Sequence, residues 1–346
     1  MTAPAGPRAA APARLVHGVG AGALEWLDAH REFFRARRDD TTPDTEVKDR
    51  FKPLGELATI GAVLFREGVA GSRQARIARR LLDFAWHDLL DSGALLAWMQ
   101  REEPLSPIPL EIYVPFREVG YVHPGIERAA AVARGLASWP ALGMLPVRRL
   151  GLAATERRAG LPPSTGTEEA LRGTWLGRAP EPWTVEQHLA YDVTHTVYHL
   201  TDWGADPGGL PAGLAGYLTH WLPAWLDDWA GMEHWDLVGE LLVVDACLPV
   251  PALDREVWER FAAARSPDGA MPVQHGMPEG DTDEVFDLVY HPTLVAALAS
   301  ALATSRALSA LTGADGGPEP GGPGSGEAGP GGPGSPGAFP GPGGAP

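Results

Sequence analysis

Apolar residues recur at helical spacing through nearly the whole interval from Leu15 to Leu311, and strand-like alternation is hard to find within it. The periodic stretches are separated by breakers: PLSPIP at 104–109, HPG at 123–125, LPP at 161–163, DPGG at 206–209 and SPDG at 266–269. This pattern predicts roughly a dozen helices, among them 17–38, 51–68, 182–203, 234–247 and 292–311. Helices joined by short turns pair as antiparallel hairpins, so the expected fold class is all-α. Such an array closes into an (α/α) toroid, the preferred reading, or stays an open helical solenoid. Residues 15–312 are expected to form a single domain. The Ala/Pro-rich residues 1–14 and the tail 313–346, with 15 Gly and 9 Pro in 34 residues, read as disordered.

Charge narrows the partners. The 44 acidic residues outweigh 28 basic ones, giving a formal net charge of −16, and Lys48 and Lys52 are the sole lysines. Nucleic acid is disfavoured by that balance. Cys247 is the single cysteine, which excludes an internal disulfide and fits a reducing compartment; in LLVVDACL it reads as a small buried hydrophobe. No run of about 18 uninterrupted apolar residues marks a membrane span, and the N-terminus lacks an apolar signal core, so a cytoplasmic protein is expected. No Gly-rich phosphate loop, G-x-S-x-G elbow or CxxC pair occurs, and no dinucleotide fingerprint sits between a strand and a helix.

The segment WTVEQHLAYDVTHTVYHLTDW, Trp183–Trp203, carries the strongest chemical signal. Wound as a helix, it places His188, Asp192, His195, His199 and Asp202 in a stripe about 80° wide. Leu189, Ala190, Val193, Val197 and Leu200 form an apolar arc opposite, so the stripe faces water or an internal cavity. His195 and His199 form an HxxxH pair able to bind one metal ion, with Asp192 as a carboxylate ligand, which makes a divalent metal a possible cofactor. Thr196 stands where a zinc protease helix needs its catalytic Glu, so peptide hydrolysis by that route is excluded. Metal-free acid/base work by the same histidines is the alternative, because imidazole titrates near neutrality.

Three further places hold chemistry-bearing residues. In Tyr290-His291-Pro292, proline is expected to begin the last helix with His291 as its cap, where the helix dipole favours a neutral imidazole. Asp245 in ELLVVDACL is costly to bury unless paired, and Trp235, Asp236 and Glu240 share its segment. Glu111 and Tyr113 sit in the apolar run PLEIYVPF. Trp221, Trp225 and Trp229 form a helical stripe expected to pack in the core.

Two resemblances add to this. RSPDGAMP, 265–272, resembles the turn that introduces an inner helix in terpene-cyclase-type toroids, whereas Asp227-Asp228 lacks the further aspartates of that group's acidic motifs. KPLGELA, PLEIYVPF, MLPVRRLG, HTVYHLTDWG, WDLVGELLVVDACL and VYHPTLVAALA together resemble a family of unknown function from actinomycetes, over residues 15–311. That resemblance implies an all-helical protein encoded beside natural-product biosynthetic genes. The expected function is a tailoring enzyme acting on a peptide or small molecule, an isomerase, lyase or metal-dependent oxidoreductase. Its catalytic set is His195, Asp202, Asp245, His291 and Tyr290 in a central funnel. A non-catalytic peptide-binding helper is the contrary expectation.

Overall fold

The computed structural model describes residues 10–35, 47–68 and 70–314. Among these the regular structure is helical, and an isolated antiparallel bridge between Ala10 and Asp254 is the nearest approach to a strand. The α-helices are α1 (Ala13–Ala29), α2 (Val47–Glu67), α3 (Arg73–Phe84), α4 (Ala94–Glu102), α5 (Ile108–Glu118), α6 (Pro124–Arg134) and α7 (Pro146–Arg158). They continue as α8 (Thr167–Gly173), α9 (Gln187–Leu200), α10 (Ala212–Gly231), α11 (Trp235–Cys247), α12 (Arg255–Ala264) and α13 (Thr282–Ala314). Helix starts follow local chemistry. Ser72 accepts the Ala75 amide at 3.1 Å to begin α3, Asp254 accepts the Glu256 and Val257 amides to begin α12, and prolines open α6 and α7.

Six helices pack in series, α2 on α5, α5 on α7, α7 on α9, α9 on α11 and α11 on α13, and α13 returns to α2. The intervening helices attach to this series: α3 to α2, α6 to α5, α8 to α7, and α10 and α12 to α11. α1 packs on α13, α3 and α12. The apolar stripes meet in one large core. α11 is buried along its entire length, including Asp236, Glu240 and Asp245. Trp225 and Trp229 are buried and Trp221 packs half-buried against the same core, so the tryptophan stripe of α10 is core.

Several expectations at the chain's punctuation change. Ala10 bridges Asp254 and the Ala11 amide donates to the Leu253 carbonyl at 2.7 Å, so the stretch expected to be disordered is anchored from Ala10 onward. Residues 1–9 and 315–346 lie outside the described residues, while 313–314 continue α13. The Ser266–Gly269 turn is followed by a non-helical stretch up to 281, so it does not lead directly into a helix. Pro292 does not begin the last helix but lies inside α13. Proline removes one amide donor and leaves the Leu288 carbonyl without its helical partner, a loss that the tertiary contacts of this long helix override. Thr293 beside it donates its hydroxyl to the Val289 carbonyl at 2.6 Å and accepts the Met271 amide at 2.9 Å. By length and composition α13 could cross a membrane, yet 72% of its most apolar window is buried inside the protein.

The α1–α13 contact depends on Gly20. A Cβ there would stand 2.3 Å from Ser300 Oγ and 2.7 Å from its Cβ, while Ser300 donates to the Val16 carbonyl at 2.7 Å. Gly20→Ala is expected to cost about 1–3 kcal/mol through overpacking. Gly18→Ala, with open space around its Cβ, should gain up to about 1 kcal/mol of helix propensity. Urea unfolding of the two variants checks the pair.

Candidate active site

α9 divides its side chains as its periodicity requires. Ala190, Val193, Val197 and Leu200 are buried in the core, while His195, Tyr198 and His199, followed by Asp202 and Trp203 past the helix end, line a cavity of about 390 Å³. Each of the other five helices in the series contributes to the lining: α2 through Glu56, α5 through Glu111, α7 through Arg148, Gly151 and Arg158, α11 through Glu240, and α13 through His291. Ile60, Ile112, Ala154, Val295 and Leu298 supply apolar wall between them.

The α11–α13 side of the cavity sets half-buried His291 and Glu56 beside the buried carboxylates of Asp236 and Glu240. His291 Nδ1 lies 3.1 Å from Glu56 Oε2, and its Nε2 lies 3.4 Å from Glu240 Oε1 and 3.5 Å from Asp236 Oδ1. Tyr198 donates to Glu240 Oε2 at 2.7 Å, and Tyr191 donates to Asp236 Oδ2. Burial alone disfavours the imidazolium, but the carboxylates of Glu56, Glu240 and Asp236 within 3.1–3.5 Å of its nitrogens outweigh it, so the His291 pKa is held well above its ordinary value. Burial likewise opposes ionisation of Glu240, yet His291, His195 and Tyr198 pull it down to about 2. Asp236 is pushed up, chiefly by burial, against the pull of His291.

The α7 wall has the opposite character. Arg148 forks onto Glu111 at 3.0 and 2.7 Å, and Arg158 Nε reaches Glu118 at 2.8 Å and Asp202 Oδ1 at 3.3 Å. His199 packs edge-on against Gly151 of this helix. Burial, and then the charges of His195, Arg148, Arg158 and Arg157, hold its pKa well below the ordinary histidine value. His195 stands between the two walls, its ring centroid 6.3 Å from that of His199. Its Nδ1 lies 2.8 Å from the Tyr191 carbonyl oxygen. A carbonyl can only accept, so Nδ1 carries a proton and Nε2 is the nitrogen left for exchange.

The cavity therefore joins His195, His199, Asp202 and His291 of the expected residues. Tyr290 lies behind them, buried against Phe286 and Phe34, with its hydroxyl pKa raised by burial and then by Glu56. Asp245 is placed elsewhere. It sits about 140° around the helix from Glu240, and its two oxygens accept the Ala252 and Leu253 amides at 2.9 and 2.8 Å, which makes it the anchor of a loop. His291 is not a helix cap, and the carboxylates around it charge the ring instead of keeping it neutral. The expected metal trio does not converge. Asp192 is turned to the Trp175 amide at 3.1 Å, and the Nε2 edge of His199 faces α7, so neither joins the free Nε2 of His195. Among the described residues no group of three or more His, Cys, Asp or Glu is arranged to hold a metal ion. His188 is exposed near Glu186, outside the cavity.

Sequence reading missed Glu56, Arg148, Gly151, Arg158 and Tyr198, and named Glu240 without a role. Glu56 looks like any solvated acid of an amphipathic helix. A usable signal was present in α7, whose RRLGLAATERR sets a glycine among good helix formers.

His291 makes stability depend on pH with a definite sign. Its folded pKa exceeds the unfolded value near 6.5, so its contribution is complete below pH 6.5 and is lost as pH rises through the folded value. His291→Gln should remove that alkaline decline, and it should also destabilise the fold at pH 7 by about 3 kcal/mol by stranding the carboxylates. Urea unfolding of both proteins at pH 6, 7.5 and 9 measures this; parallel pH profiles would contradict it.

No curated protein and no solved structure matches the chain. Residues 20–301 match the family described as Domain of unknown function (DUF6895), and the chain belongs to that family.

Proposed function

We propose that the chain is an enzyme whose reaction chamber lies on the axis of an (α/α) toroid, where histidines move a proton on a small molecule or short peptide. The toroid reading draws on the six-helix series whose last member packs on its first, and on the contribution of all six to one cavity. The catalytic reading rests on one observation: two histidines lining the same cavity have opposed surroundings, His199 against Gly151 and the arginines of α7 and His291 between Glu56 and Glu240, which push their pKa values apart, down and up respectively. Titratable groups pushed apart by their surroundings are the mark of paired acid and base roles.

In this reading His195 Nε2 and the neutral His199 are the proton acceptors. They would take a proton from carbon beside an electron-withdrawing group and return it at a neighbouring position, or let a leaving group depart. Arg148 and Arg158 of the α7 wall supply positive charge on the side of the cavity where His199 stands, while His291 offsets the charge of Glu56 and Glu240 opposite. Isomerisation and elimination both fit, and the balanced charges with apolar walls suit a compact substrate without large net charge. A cytoplasmic tailoring step in actinobacterial specialised metabolism, acting on a molecule without nucleic-acid or membrane partners, is the setting we assign to it.

The test is incubation of the protein in D2O with fractionated bacterial metabolite extracts, read by mass spectrometry for species that gain deuterium or lose water or ammonia. Wild type should produce such a change. His195→Gln and His199→Gln, with unaltered Tm, should slow it by about 10²–10⁴-fold. Binding of a metabolite without turnover, or undiminished turnover by both variants, would overturn the reading in favour of a binding protein.

A further inference from the structure

We infer that Gly151 is a positioning residue, which seats the His199 ring in the α7 wall by leaving open the space that any other side chain would occupy. A Cβ at position 151 would stand 2.7 Å from His199 Nε2, 3.0 Å from Cε1 and 3.3 Å from Cδ2, so it would meet the whole edge of the ring. Glycine is the poorest helix former after proline, and it stands here in the interior of α7 between Leu150 and Leu152, both buried. Ala154, three residues on and lining the same cavity, keeps its methyl, so the demand for space is local to the level of His199.

The ring is bounded on its other sides. His195 lies 6.3 Å away between centroids, and Trp203 stands edge-on to it at 6.3 Å. A side chain at 151 would therefore drive the imidazole toward the cavity. The charged and titratable groups facing it are His195 from α9, Arg148, Arg157 and Arg158 from α7, and Asp202 from the following turn, with Glu240 of α11 beyond His195. Further hydration of the half-buried ring weakens burial, the largest cause that lowers its pKa, so Gly151 would preserve His199 as a base. This consequence rests on the catalytic reading of the cavity, whereas the placement of the ring does not.

The test uses the full chain labelled with [13Cε1]histidine, with the His199 signal assigned through His199→Gln and followed by NMR from pH 4 to 9. In Gly151→Ala the His199 signal should shift and its midpoint should rise by about one pH unit or more, while that of His291 stays in place. Gly55→Ala is the control, because it lines the same cavity on α2 and its Cβ would make ordinary contact with Ile112 at 3.5 Å; it should leave His199 unmoved. If Gly151→Ala lowers Tm, adding His199→Ala should restore it, since the clashing atoms are gone. A His199 signal and midpoint unchanged by Gly151→Ala, or moved equally by Gly55→Ala, would overturn the inference. An ordinary midpoint for His199 in the wild type sinks the base reading instead, and the placement is then decided by whether the Gly151→Ala signal shifts.

Discussion

Everything around the cavity follows from the burial of α11 on all sides while it carries three carboxylates. An unpaired ion in such a place costs several kcal/mol, so each acid dictates what its neighbours must be. Asp245 is satisfied by two loop amides, which ties the 252–253 segment to the helix. Asp236 and Glu240, one turn apart, face the same way and must be met by donors from the helices on either side. α9 supplies Tyr191 and Tyr198, and α13 supplies His291. The three helices are thus held in register by polar contacts that a slip of one residue would break.

The same contacts fix the electrostatics of the chamber. The carboxylates that His291 pairs with are the groups that raise its pKa, so the structural pairing and the electrostatic shift have one cause. Across the cavity, α7 presents arginines to His199, and their own carboxylate partners sit on α5 and at the ends of α5 and α9. The fields of the two walls differ because the helices behind them differ, one buried on every face and the other exposed at its ends. His195 lies between, with its tautomer set by a main-chain carbonyl and hence insensitive to which wall a substrate approaches.

Much of this was legible in the sequence where one helix acts alone. The α9 stripe was visible because its period is local, and His195 and His199 fall where that period puts them. The roles of Asp245 and His291 were misjudged for reasons of longer range. A carboxylate in an apolar run looks the same whether it turns to a cavity or to a loop, and only the fold sets the two amides beside Asp245. Proline before a helical run ordinarily marks a start, but in α13 contacts with α1, α2 and α11 stabilise both sides of Pro292, so the helix continues through it. Glu56 was invisible because what distinguishes it is a partner 235 positions away. The metal reading failed at the level of side-chain direction, since HxxxH spacing places two rings on one face without saying that their lone pairs converge.

The turn after α9 shows how such a site can hold strain. Asp202, Trp203 and Gly204 follow one another in the left-handed region, at φ of 48°, 54° and 82°, a conformation that disfavours the first two side chains. Such residues persist where the surroundings over-determine them. Here Arg66 of α2 donates to the Asp202 and Trp203 carbonyls, Arg306 of α13 to the Gly204 carbonyl, and Arg158 of α7 pairs with the Asp202 carboxylate. Guanidinium groups from three different helices thus converge on three residues, and the result is that Asp202 and Trp203 face inward beside His199.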